Sequence, residues 1–156
     1  MKVTITVELT SVFDRVARTT GYAGAKLLGS DADAYDRIST TEADEGMLRT
    51  LWRESRDRVC HALRHLIDSE GLEGDTYRMD LNLSEAFDVA LIPSVAGSLE
   101  AYFVNAVIAG WMNLADKAKA AEYTAAASQM LSDLQQKVLC KRPPRRPNYS
   151  TSASGS

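Results

Sequence analysis

"AYFVNAVIAGWMNLA", Ala101 to Ala115, decides how this chain folds. From Tyr102 onward the stretch is apolar on nearly every side of a helical wheel, and a helix apolar all round belongs in an interior. It is too short for the roughly 20 apolar residues of a membrane span, and it carries Asn105 and Asn113. Pro93 suits the first turn of the same helix, which is expected to run on to about Leu114. A chain of 156 residues is one domain's worth and can bury a core without metal or disulfide staples. One central helix is therefore expected to organise the whole.

Toward the C-terminus, Asp116 to about Leu139 reads as an alanine-rich helix with a stripe at Ala120, Tyr123, Thr124, Ala127, Leu131, Leu134 and Val138. Its small residues permit close approach to another helix. Pro143 and Pro144 stop it, and "NYSTSASGS" after Pro147 is expected to be disordered.

Toward the N-terminus, "TYRMDLNLS" sets Tyr77, Met79, Leu81 and Leu83 against Arg78, Asp80 and Asn82, the period of a strand. Val3, Ile5, Val7 and Leu9 alternate in the same way, so the two runs are expected to pair. Between them, Thr41 to Asp44 opens a helix with a capping-box pattern and early acids. Its stripe of Leu48, Trp52, Ser55, Val59, Leu63 and Leu66 carries it to about Asp68, where "SEGLEGD" breaks it. A short helix is expected from Ser11, with Thr10 or Ser11 as cap and Val12, Phe13, Val16 and Ala17 on its inner side. Thr19 to Thr40 is read as a loop holding a short hairpin around Ala25–Leu28 and Tyr35–Ile38. The expected fold is mainly α: a three- to four-helix bundle with a small two-stranded β element. Residues 1–140 form a single helical domain and 141–156 a basic, proline-rich, flexible arm.

Charge separates those two parts. The net charge of −3 combines 18 basic and 21 acidic residues. Beyond Gln136 lie Lys137, Lys141, Arg142, Arg145 and Arg146 and no acid, which leaves 13 basic against 21 acidic residues, a net of −8, for the remainder. An acidic body lacks the basic face that neutralises phosphates, so general nucleic-acid binding is not expected. The start of the chain alternates where a signal peptide would run apolar, and Cys60 and Cys140 make no disulfide framework. Both cysteines are expected to be reduced thiols in a cytoplasmic product.

Candidate chemistry is sparse. His61 and His65 stand four apart, a spacing that lets two imidazoles share a metal, with Asp57 and Asp68 nearby. On a helical wheel both lie opposite the apolar stripe, on the face of Arg53, Asp57 and Arg64, and no third ligand accompanies them. The solvated face is preferred, and neither a metal nor a cofactor is expected. Phosphate-loop, nucleophile-elbow and paired-cysteine motifs are absent, so no catalytic residue is assigned. Tyr102, Phe103 and Trp111 are read first as core. An all-round apolar helix in so small a chain also fits a packing surface shared with a neighbouring subunit. For the arm, Lys141, Arg142, Arg145 and Arg146 are read as an electrostatic strap onto an acidic surface. Pro144-Arg145-Arg146-Pro147 also fits a proline-spaced ligand, and a merely solubilising tail stays open.

The order of pieces resembles a family. A strand and short helix lead to "GYAGAK", "YDRISTTEAD", a helix carrying "LWRE", and "LNLSEAFD". There follow "LEAYFVNAVIAGWM", "KAAEYTAAASQMLSDL" and "KRPPRRP". Over nearly the whole chain this resembles small virion-morphogenesis proteins of tailed bacteriophages and prophages. More loosely it is similar to their helical head–tail connectors, from whose plainest all-helical form the strand pair departs. The resemblance implies a non-enzymatic virion protein, a connector, neck or tail-completion adaptor, made in the bacterial cytoplasm. Its implied partners are further copies of itself in a ring and neighbouring virion proteins such as portal or tail proteins, with no membrane. Tyr102, Phe103 and Trp111 would then pack subunits, and the arm would tie them. The other reading is a cytoplasmic regulatory or interaction module that grips an acidic partner or nucleic acid through the arm.

Overall fold

The computed structural model describes residues 1–27, 29 and 32–147, in mainly helical form with a small antiparallel sheet. In chain order the elements are β1 (Lys2–Glu8), α1 (Leu9–Lys26), α2 (Ala34–Ile38), α3 (Glu45–Ala62), β2 (Ile67–Glu73), β3 (Thr76–Asn82), α4 (Ile92–Ala115) and α5 (Lys117–Val138). Short 3-10 turns at Glu42–Asp44 and Val89–Leu91 lead into α3 and α4.

The central helix is the one expected. Helix α4 packs on α5, α3, α1, α2 and β1, and buries residues on every side, from Val95 and Leu99 through Val104 and Val107 to Met112. Surrounded in this way it has no use for a polar face. It runs Ile92–Ala115, within a residue at each end of the helix read from Pro93 to about Leu114. With the preceding turn it is apolar enough to cross a membrane, but its packing on five neighbours is that of a core helix. Helix α5 lies along it through Ala120, Ala127, Leu134 and Val138.

The sheet has three strands in the order β1-β3-β2, all antiparallel, where two were expected. Val3, Ile5 and Val7 face the core beside Tyr77, Met79 and Leu81. The third strand takes in Ser69 to Glu73 of the "SEGLEGD" segment, which folds back on β3 instead of only ending a helix. Gly74, in the left-handed region at φ 60°, and Asp75 form the two-residue turn that closes this hairpin. A bulge between Ile67 and Ser69 resets its register.

Other boundaries also differ from expectation. Helix α3 stops at Ala62, where the backbone turns at Leu63, well short of Asp68. Helix α1 begins at Leu9 straight from β1, with no side-chain cap at Thr10 or Ser11, and continues through the supposed loop to Lys26. Gly24 explains part of that continuation. A Cβ there would sit 2.9 Å from the Tyr35 Cα, so only glycine lets α2 cross so closely. Tyr35–Ile38 is accordingly helical, not one side of a hairpin, while Leu28 of the other side lies outside the described residues. The capping pattern does form: the Thr41 amide donates to the Asp44 carboxylate at 2.8 Å, at the head of the turn leading into α3.

Candidate functional site

The arm leaves the body from a fixed point. Past α5, the Cys140 carbonyl accepts a hydrogen bond from the Asp88 amide at 3.2 Å, and the Arg142 amide donates to the Ala86 carbonyl at 2.8 Å. Lys141 and Phe87 bridge between these bonds, with Phe87 buried beneath. The Arg142 guanidinium also donates to the Glu85 carbonyl at 3.4 Å. The N-terminal ammonium is tied to the same loop, donating to the Leu83 carbonyl at 2.8 Å and pairing with the Glu85 carboxylate at 2.8 Å. That charge holds the Glu85 carboxyl below its ordinary range. Both ends of the body thus meet at one loop. Arg142 spends its backbone and side chain on this anchor. Lys141, Arg145 and Arg146 are exposed and form no ion pair among the described residues. Asn148–Ser156, read as disordered, lie outside those residues.

The aromatic residues expected at a subunit interface sit elsewhere. Tyr102 is 2% exposed and Phe103 fully buried, so neither offers surface to another copy. Phe103 meets Trp52 and Tyr77 edge to face, with ring centroids 5.6 and 5.5 Å away. Trp111 is half-buried, and its indole N–H donates to the Ile38 carbonyl at 2.7 Å, fastening α2 onto α4. The packing-interface expectation is corrected for Tyr102 and Phe103. The all-round apolarity of α4 is met inside the chain.

A groove that the sequence did not reveal lies between α1, the head of α3 and the β2–β3 turn. It measures about 430 Å³. Phe13, Ala17 and Leu48 give it an apolar lining, and Asp14, Glu42, Glu45 and Asp75 ring it with carboxylates. One cation stands among them. Arg49 donates to Asp75 at 2.9 Å and to Glu45 at 3.1 Å, while its guanidinium lies 5.5 Å from the centroid of the Phe13 ring. Asp14 and Glu42 are exposed and unpaired among the described residues.

Two further polar clusters serve the fold. Glu70, on the core side of β2, is clamped by Arg56 through bonds of 2.7 and 2.6 Å, which hold its carboxyl below the ordinary range. Beside it, burial pushes the Tyr77 hydroxyl and the Cys60 thiol up, so the thiol stays protonated and a poor nucleophile. On the outer sheet face Asp80 accepts from Thr4 at 2.6 Å and Ser69 at 3.0 Å, with Arg78 at 3.2 Å. The Thr4 bond leads in lowering its carboxyl from 3.8 to about 2. A folded value below the unfolded one means that the stabilisation is complete above about pH 4 and fades as pH falls through about 2. Asp80→Asn is therefore expected to lower the thermal midpoint at neutral pH and to differ least from the parent near pH 2. Melting curves across that range check this, and an equal deficit throughout would mean that packing, not charge, was lost.

His61 and His65 are both exposed, but His65 lies beyond the end of α3, so the two do not share a helical face. Among the described residues no group of three or more His, Cys, Asp or Glu is gathered to hold a metal ion. Comparison with protein-family models, with curated proteins and with solved structures finds no match to this chain.

Proposed function

We propose that this chain is a non-enzymatic structural subunit of a phage virion, in kind a head–tail connector, neck or tail-completion adaptor, joined to further copies through its C-terminal arm. The observation that carries this reading is the arm's construction. A hydrogen-bonded anchor at Ala86–Asp88 presents Arg145 and Arg146 in the open, beside a body that holds the excess of acid. A tail that only solubilised the chain would need no such anchor. The resemblance in the order of sequence pieces supplies the virion, and with it a location in the particle and, during assembly, in the host cytoplasm.

Sequencing the genes on either side tests the virion reading. Portal, capsid, terminase or tail genes are expected there, and metabolic or regulatory neighbours would contradict it. Self-association is tested separately, by sedimentation of the intact chain over rising concentration and salt. Exposed arm charges are screened beyond about 10 Å at 0.1 M salt, so association is expected to weaken as salt rises. No association up to about 1 mM would contradict the reading, because affinity weaker than that is worth only about 4 kcal/mol. Salt-sensitive DNA binding that disappears with the arm would instead make the chain an interaction module.

A further inference from the structure

We infer that the arm of one copy seats in the groove between α1, the head of α3 and the β2–β3 turn of the next copy, so that the chains associate head to tail. This rests on the arm-borne association proposed above and names the surface that receives the arm.

Charge and shape agree on the occupant. "KRPPRRP" interleaves pairs of cations with prolines, and the groove combines carboxylates with apolar surface. Proline pairs favour a preformed extended helix, which loses little freedom on docking and lays its rings on aromatic faces. Phe13 offers such a face, already approached on one side by the guanidinium of Arg49. Guanidinium groups bind carboxylates with two parallel hydrogen bonds. Asp14 and Glu42 are the groove carboxylates left without a partner among the described residues, two acids for Arg145 and Arg146. A second groove of about 400 Å³, between α3, α4 and α5, carries Glu54 and Arg58 together and selects neither sign.

Position makes the contact intermolecular. The arm anchor adjoins Met1 and Leu83, at one end of the β1–β3 pair. The groove adjoins Thr10 and Asp75, where the Leu9 amide donates to the Asp75 carbonyl, at the other end. The seven residues of β1 separate them by about 23 Å at roughly 3.3 Å each. In the extended proline helix the backbone from the anchored Arg142 to Arg146 spans about 12 Å at roughly 3.1 Å per residue, and even with the length of an arginine side chain added it falls short of its own groove. Donor and acceptor surfaces at opposite ends give a heterologous contact, which closes into a ring or continues as a filament.

Charge reversal in the full chain tests this. Three variants are needed: Arg145→Glu with Arg146→Glu, Asp14→Lys with Glu42→Lys, and all four together. Sedimentation velocity at low salt reads association, and circular dichroism verifies that each variant folds. Each pair alone is expected to weaken association about tenfold or more, and the fourfold variant to recover most of the loss. If the arm pair weakens association while the groove pair leaves it unchanged, the groove inference falls and the arm reading stands. If the fourfold variant is no better than either pair, the groove inference falls likewise. If neither pair matters, arm-borne association falls too. Should the groove pair misfold, Asp14→Asn with Glu42→Gln keeps shape and is expected to weaken association in the same direction. An unchanged association there overturns the groove equally.

Discussion

A Phe103→Ala chain is expected to lose about 3–5 kcal/mol of stability, the range for deleting a buried aromatic ring. Phe103 is wholly buried and stands in a triangle with Trp52 and Tyr77, each pair of rings meeting edge to face at 5.5 or 5.6 Å. Removing it opens a cavity in rigid surroundings, because helices α3 and α4 and strand β3 each supply one ring of the three. Two edge-to-face contacts also go, each worth about 0.5–1.5 kcal/mol beyond the buried area. Some of that lies within the first figure. The loss separates a core role from an interface role. A core residue gives the same difference from the parent at two protein concentrations, read by denaturant titration. An interface residue gives a difference that shrinks as dilution separates the subunits, because the parent then loses the contact too. A small loss, or one that depends on concentration, would contradict the buried triangle.

Ending the chain at Arg142 is expected to leave the body as stable as the parent and to weaken self-association about tenfold or more. Such a chain keeps the Arg142–Ala86 and Asp88–Cys140 hydrogen bonds and the Lys141–Phe87 bridge, while Arg145 and Arg146 are gone. Ending it at Leu139 instead removes the anchor as well. Three hydrogen bonds to the Glu85–Asp88 loop then disappear, each worth about 0.5–1.5 kcal/mol, and the cover over Phe87 goes with them. A stability loss of about 1.5–4.5 kcal/mol is expected from that cut alone. Paired melting and sedimentation measurements on the two truncated chains separate anchor from strap. Equal association by all three chains would contradict the strap.

Much of this fold is legible in the residues because its periods are clean. The alternation of Val3, Ile5 and Val7 against Tyr77, Met79 and Leu81 marks two strands and which face they bury. The apolar circumference of α4 marks the centre. Strand β2 is obscured because its core-side position opposite Met79 is Glu70, an acid made tolerable by Arg56 fourteen residues earlier. Its bulge breaks the alternation too. The one local signal was the pair Gly74-Asp75, a two-residue turn between runs of equal length. Helix α1 is hidden by "TTGYAGAK", which reads as a loop. Thr20 turns its hydroxyl back to the Val16 carbonyl at 2.8 Å, and Gly24 yields to the crossing of α2, facts that only the tertiary fold supplies. The end of α3 is hidden because Leu63 and Leu66 continue its apolar spacing after the backbone has turned away.

The candidate site divides in the same way. The arm is visible as composition, four cations without an acid, although nothing in its residues shows that Arg142 belongs to the anchor. The groove is assembled from Asp14, Glu42 and Asp75, three separate segments, and no spacing along the chain connects them. Tyr102 and Phe103 drew attention as aromatics on an over-apolar helix, yet that helix has five neighbours within its own chain.

The contact between copies is tested most directly by zero-length carbodiimide cross-linking of an Arg145→Lys chain, mixed from isotopically light and heavy preparations. The account predicts peptides that join the new lysine of one label to Asp14 or Glu42 of the other, diminishing as salt rises. Cross-links confined to single-label pairs, or none from that position, would contradict it.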